Sequence, residues 1–412
     1  MPSFSTALSG LDANSQELSV ISNNLANLNT VAYKGATTTF KDLFYQSFGT
    51  SGNGNPIQVG VGVAVGAVPA NFTQGTIQSD GVPTDIAIQG NGFLIGLNNG
   101  QQVFLRAGNL SVSASGTLLG ADGSEILGYQ AVNGVINTNQ VPGPLTISTG
   151  LINPPKATAN AQLSLNLNSN TPVGGTFQTA LTIYDSLGQS HVLTFSFTNT
   201  APDNWTYSIT IPQADIAGAT GPVTLKTGTL VFNGSGVLTT PATNVTGIAI
   251  NGFADGAANQ TFNWNLYDTN GVGQVTQVAA TSATASTLQD GFASGSLVSY
   301  AIQNDGTIEG SFSNGQTQPL GQVLLATFAN QEGLSRNGQN EFLSTLDSGA
   351  ANIGIPGTGG RGTIDGGALE QSNVDISTEF ANLIVAQSGY EANAKVVTTL
   401  DTIVQDTINL IQ

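Results

Sequence analysis

Few side chains in this sequence have the chemistry for catalysis or metal binding. His191 is the single histidine and cysteine is absent. Composition therefore excludes a two-histidine metal site, a histidine-based triad, a thiolate metal site and a cysteine nucleophile. Following the turn of YDSLGQSH (184–191) and opening a strand pattern, His191 reads as a polar surface or hairpin position. Carboxylate pairs carry out glycoside hydrolysis. Here Asp80, Asp122, Asp255, Asp290, Asp305 and Asp365 each stand directly before glycine, so turn formation accounts for them. No D-x-D-x-D-G loop offers calcium an oxygen cage. GNGFLIG (90–96) lacks the G-x-G-x-x-G spacing of a nucleotide loop and continues into β-pattern instead of a helix. Trp205 and Trp264 have the chemistry for a sugar-stacking platform, yet large aromatics serve more often as core anchors. The expectation is a chain that is not an enzyme, with no catalytic residue, no specific metal site and no cofactor.

Around these residues, 412 positions leave room for two to four domains. Only 8% are charged, against roughly 25% in ordinary globular domains, and the net charge is −17. That acidity repels phosphate, so nucleic acid and anionic membranes are poor partners. Charge this sparse suits an extracellular, many-copy protein better than a cytosolic enzyme. MPSFSTALSGLDANSQE has neither the basic nor the apolar region of a cleaved signal peptide, and no apolar run approaches the length of a membrane span. Export by another route is the expectation.

Both ends carry helical patterns. Positions 4, 7, 11, 14, 18, 21, 25, 28 and 32 form one stripe, apolar except at Asn14. Leu383, Tyr390, Val397, Val404 and Ile411 recur every seven residues, beside Val396, Leu400, Ile403 and Leu410. Ser372 and Asp375 resemble a capping box for this second helix, and Glu379 adds charge where the helix dipole favours it. Between the ends, short Val/Ile/Leu/Phe/Thr runs are divided by Asn-Gly and Asp-Gly pairs, which signals antiparallel hairpins. LTIYDSLGQSHVLTFSF (181–197) reads strand, turn, strand, and NWTYSITI (204–211) adds another. VPGPLTISTGLINPP (141–155) reads as a crossing into an inserted domain, with AATSATAST (279–287) as the return.

The expected fold is mainly β and multidomain, with nested antiparallel β-domains and terminal helices pairing as a coiled-coil-like domain. The expected boundaries are 1–30 plus 374–412 for the helical domain and 31–70 plus 358–373 for a linker region. An outer β-domain takes 71–145 plus 285–357, and the inserted β-domain takes 146–284. Each helix alone is marginal in water, so both need cover from each other and from further copies in an open, head-to-tail assembly.

SGLDANSQELSVISNNLANLNTVAYKGATTTFKDL (9–43) resembles the N-terminal signature of bacterial flagellar rod and hook proteins: a Ser-Gly-Leu start, SNN-x-AN-x-NT at 22–30, then an aromatic-Lys pair and a phenylalanine. LEQSNVDISTEFANLIVAQSGYEANAKVV (369–397) resembles the matching C-terminal signature. YDSLGQSH (184–191), QDGFASG (289–295) and FSNGQTQPLGQVLLATFAN (312–330) are similar to segments of flagellar hook proteins; the likeness is weaker across about 198–280. Two positions depart from the pattern: Ala32 stands where glycine is common, and Ser388 where arginine often stands.

The resemblance implies a subunit of the hook, the curved tube that transmits motor torque to the filament as a flexible joint. It implies export through the flagellar type III apparatus, and a helical homopolymer built on the distal rod protein under a hook cap protein and joined to the filament through a hook-filament junction protein. Its place would be the flagellar basal body and hook, outside the cell, with helices lining the tube and β-domains outside. The assembly residues implied are Phe4, Leu11, Leu18, Ile21, Leu25 and Leu28 on the first helix and Leu383, Tyr390, Val397, Leu400, Val404 and Ile411 on the last. Asn23, Asn24, Asn27 and Asn29 are expected to cap the first helix, hold its turn and bond neighbouring subunits. Alternatives are a straight rod-type axial protein, or a secreted β-sandwich adhesin or glycan-binding protein.

Overall fold

The computed structural model describes residues 2–51, 53, 55–148 and 150–411. The chain is mainly β, with one long helix at each end, and divides into two compact units. The first comprises Met1–Thr149, Ser299–Gly310 and Thr317–Gln412; the second comprises Gly150–Val298 and Ser311–Gln316.

In the first unit, α1 (Pro2–Ala26) and α2 (Ile376–Ile411) pack together. Strands β1 (Thr39–Asp42), β2 (Tyr45–Thr50), β3 (Pro56–Gly60) and β4 (Val63–Ala67) follow α1, with β1 antiparallel to β4 and β2 antiparallel to β3. Beyond them a sheet runs in the order Thr317–Val323, Glu125–Val132, Phe93–Asn98, Gln101–Leu105, Glu341–Leu343, Ser335–Gly338. Phe93–Asn98 and Gln101–Leu105 are joined by Asn99 and Gly100 alone, at φ +50° and +82°. That is the left-handed pair a two-residue hairpin demands, and Asn-Gly supplies it at least cost. The core under this sheet is aromatic: Phe104 meets Phe328 edge-to-face at 4.8 Å, and Phe93 packs on Phe72, Phe328 and Phe342.

Two details of the helices differ from the sequence expectation. The α1 helix ends at Ala26, so Leu28 and Ala32 of the stripe fall in the turn that follows. The last turn tightens here: the Asn27 N–H is shared between the Asn23 (3.2 Å) and Asn24 (3.1 Å) carbonyls, and Asn27 Nδ2 adds a second donor to the Asn23 carbonyl at 2.9 Å. The N-cap of α2 is Asp375, whose Oδ1 accepts the Thr378 N–H at 2.7 Å. Ser372 instead accepts the Val374 N–H two residues on and takes no part in the cap.

Near the entry to this sheet lies Asp85, buried beside Asp80. Burial, then the hydrogen bond and charge of Asp80, push its carboxyl up to about 6. The folded chain thus holds a proton that the unfolded chain releases near pH 4. The stability this group adds below about pH 4 is lost as pH rises to about 6. Asp85→Asn is therefore expected to raise the melting temperature of the first unit at pH 7 and to change it little at pH 3.5, as read by thermal melts at both pH values.

The second unit is built from two sheets enclosing one core. β5 (Asn160–Asn168) lies in one sheet; β6 (Thr176–Tyr184), β7 (Ser190–Ala201), β8 (Asn204–Ile211) and β9 (Val223–Phe232) run in order through the other. β8 alternates half-buried and buried along its whole length, which is the period-two signature of a strand with one face on a core. Trp205 and Trp264 are fully buried, with Trp264 edge-on to Phe195 at 5.2 Å and Tyr207 at 5.1 Å. Segment 279–287, read as a connecting return, holds most of a strand, Ala283–Gln289, antiparallel to β5. Its threonines suit the pleat of a largely exposed edge. His191 also departs from expectation, being 3% exposed instead of lying at the surface.

Candidate assembly surface

Helices α1 and α2 run antiparallel in a register fixed by small residues. An added Cβ on Gly10 would stand 2.9 Å from the Asn393 side chain, and one on Gly389 would stand 3.1 Å from that of Asn14. Each asparagine donates to its own helix four residues back: Asn14 to the Gly10 carbonyl and Asn393 to the Gly389 carbonyl, both at 2.9 Å. Each amide thus lies over the other helix's glycine, in the same pattern from both sides. Farther along, Asn24 Nδ2 donates to Glu379 Oε1 at 3.0 Å, one residue back on α2 for every residue forward on α1. Ala7, Ala13 and Ala386 are buried in this seam, where short side chains let the backbones approach.

The expected assembly residues fall on and beside this seam. Ile21 and Asn24 are buried; Leu11, Leu18, Leu25, Asn27, Leu28, Leu383, Val397, Leu400 and Val404 are half-buried. Phe4, Asn23, Asn29 and Tyr390 are exposed, and the Ile411 side chain lies outside the described residues. Apart from Ile21, the large residues of the stripe are half-buried or exposed, while glycine, alanine and asparagine make the closest approach. Asn24 spends its amide within the chain: Nδ2 also donates to the Ala36 carbonyl (2.8 Å), and Oδ1 accepts the Ala36 N–H (3.0 Å). Asn23 donates to the Tyr33 hydroxyl at 3.3 Å, and Thr30 donates to Asn27 Oδ1 at 3.1 Å. The amides thus hold the turn after α1.

That turn is anchored by charges that sequence reasoning passed over. Glu370, just before α2, accepts Lys34 Nζ at 2.7 Å on Oε1 and Arg106 Nε at 2.6 Å on Oε2. The Gly75 N–H adds a third bond at 2.8 Å. Lys34 also donates to the Thr73 carbonyl, and Arg106 to the carbonyls of Gly92 and Ile88. All three side chains are buried. Burial pushes the Lys34 amine below its usual range, and the contact with Glu370 only partly offsets this. Ala32, in the same turn, donates its N–H to the Glu370 carbonyl at 2.8 Å while held at φ +54°. A left-handed alanine costs about 1–2 kcal/mol, and glycine's extra freedom when unfolded returns about 0.5–1 of that. Ala32→Gly is expected to stabilise the first unit by up to about 1 kcal/mol in urea unfolding.

Large apolar side chains remain uncovered around the helix pair. On α2 they include Phe380, Ile384, Val385, Val396, Ile403 and Ile408, and on α1 Phe4 and Leu8. In the observed register Pro2 stands level with about Asp401, so the last turns of α2 run past the start of α1. The β2–β3 hairpin exposes every residue of both strands, including Tyr45, Phe48, Ile57 and Val59, with Phe44 beside it 92% exposed. A bare two-stranded hairpin is marginal in water, and apolar surface on this scale marks an interaction site.

Three family descriptions match the chain. Residues 153–292 match the flagellar basal body protein FlaE D2 domain, residues 365–410 the flagellar basal body rod FlgEFG protein C-terminal, and residues 4–34 the flagella basal body rod protein. The chain is similar to the flagellar hook protein of Salmonella typhimurium, 37% identical with 99% of this chain and 100% of that protein covered. It is similar also to that of Escherichia coli, at 35% with 99% of each covered, and of Treponema pallidum, at 32% with 100% and 99% covered. Among solved structures, the Helicobacter pylori flagellar hook protein FlgE2 shares the fold with a TM-score of 0.51 at 14% identity, covering 70% of this chain and 98% of that one.

Proposed function

From the premise that this chain belongs to the flagellar hook protein family, we propose that its paired terminal helices and the β2–β3 hairpin are the surfaces through which copies stack into a curved, torque-transmitting tube. The chain is a structural subunit of the flagellar hook, polymerising in the flagellum with other flagellar proteins. The observation that carries the assembly reading is the uncovered apolar surface on α1, α2 and the hairpin, which identical copies can bury. The distal rod protein, the hook cap protein and the hook-filament junction protein are the neighbours this reading assigns to the two ends of the polymer. Delivery through the type III export apparatus to an extracellular position belongs to the same reading, as does a role without catalysis. No helix among the described residues is long and apolar enough to cross a membrane. A glycan-stacking role finds no support at Trp205 or Trp264, since neither ring reaches the surface.

Electron microscopy of the purified chain tests the proposal. The full chain is expected to form curved tubes, and a chain lacking residues 376–412 to stay a β-rich monomer. Tubes from the shortened chain would refute the assignment of the helices to assembly, and straight tubes from the full chain would favour a rod-type subunit.

A further inference from the structure

The one histidine of the chain is surrounded by carboxylates. His191 Nε2 is 3.1 Å from Asp185 Oδ2 and 4.0 Å from Asp255 Oδ2, and on the other side of the ring Nδ1 faces Asp215 Oδ2 at 3.5 Å. One ligand atom from each of Asp185, His191 and Asp255 lies within 4.8 Å of the others. His191 and Asp185 are buried; Asp215 and Asp255 are partly open to solvent. The buried Nδ1 has no hydrogen-bond partner. Among the described residues no lysine or arginine pairs with these three carboxylates. Three carboxylates thus face one imidazole and no cationic side chain among the described residues.

We propose that Asp185, His191 and Asp255 bind one divalent ion of the zinc type, with Asp215 orienting the histidine. The ligand atoms are His191 Nε2, Asp185 Oδ2 and Asp255 Oδ2. Tetrahedral zinc with bonds of about 2.0–2.1 Å needs ligand atoms roughly 3.3 Å apart, so the Asp255 arm closes in from 4.0 Å on His191 Nε2 and from no more than 4.8 Å on Asp185 Oδ2. That arm sits on a solvent-facing turn and is free to do so. The two carboxylates are already aimed by their other oxygens. Asp185 Oδ1 accepts the N–H groups of Leu187 (2.8 Å) and Gln189 (2.9 Å), and Asp255 Oδ1 accepts that of Ala257 (3.0 Å). Asp215 Oδ2 stands 3.5 Å from Nδ1, not yet hydrogen-bonded to it; closing that gap to accept an Nδ1–H would leave the Nε2 lone pair for the ion, the usual support of a metal-bound histidine. Phe253 lies 4.7 Å from the imidazole and fixes its plane. The open side at Asp255 leaves the fourth position to water. An imidazole ligand favours zinc-type ions over calcium or magnesium, which take oxygen.

The test uses the full chain, stripped with EDTA, desalted and titrated with Zn2+ alone at pH 7.5 by calorimetry, with thermal melts alongside. One saturable site per chain is expected, with a melting transition that rises as Zn2+ is added. Asp255→Asn keeps an oxygen for the Ala257 N–H, so its metal-free melt should match that of the parent while zinc affinity falls at least tenfold. Asp215→Asn should weaken binding about ten- to hundredfold without removing a ligand. The proposal is overturned by several weak sites in place of one, by binding that Asp255→Asn leaves intact, or by melts that follow pH near the histidine range and ignore zinc. That last outcome identifies the cluster as a protonated-imidazole clamp.

Discussion

Glu370→Gln is expected to destabilise the first unit by about 3–5 kcal/mol, a large share of the roughly 5–15 kcal/mol that holds a domain folded. Glutamine has the shape of glutamate but a single acceptor oxygen. Its amide would satisfy Lys34 or Arg106, not both, and would turn N–H donors toward the other cation. Two buried cations would then share no counter-charge. The cost comes from that uncompensated charge more than from the lost bonds, because an intact buried pair contributes little over an apolar replacement. Adding Lys34→Met to the variant should therefore recover part of the loss, and the two effects should fall short of their sum. Equilibrium urea unfolding measures each term. A loss below about 1 kcal/mol would mean that water reaches the site and screens it.

Gly10→Val is expected to abolish helix pairing, and with it tube formation. Even its first side-chain carbon would stand 2.9 Å from the Asn393 amide, which is itself tied to the Gly389 carbonyl. The branched methyl groups must then push the helices apart, and a separated helix of this length gains little stability in water. Circular dichroism should show lost helix while the second unit melts unchanged, and electron microscopy should show no tubes. Combining Gly10→Val with Asn393→Ala opens space opposite the new side chain and should restore part of the helix signal. Tubes of normal appearance from the single variant would show that assembly tolerates a wider spacing.

The terminal helices were legible because Leu383, Tyr390 and Val397 keep a heptad period and the N-terminal stripe keeps its 3-4 spacing. The contact centre was not, since glycine and asparagine do not register as an apolar stripe. A signal did exist: GLDAN at 10–14 and GYEAN at 389–393 repeat one pattern, glycine and asparagine four apart with an acidic residue and an alanine between. Asn-Gly and Asp-Gly pairs marked turns well, as at Asn99-Gly100. Buried charges left no such trace. Lys34, Arg106 and Glu370 are far apart in sequence, and nothing periodic distinguishes a buried cation from a solvated one. His191 misled for the same reason: its position after a turn was correct, but its burial depends on Phe253 and Asp255, more than sixty residues downstream.

The pairing of α1 with α2 bears on the order of events when the polypeptide is made. The two partners stand about 350 residues apart along the backbone, and bringing such distant segments together carries a loop-closure cost that falls when the intervening chain has already condensed. Contacts of this range also form late. The clasp therefore cannot shut before the final helix exists, and until then α1 lacks the partner that covers its seam.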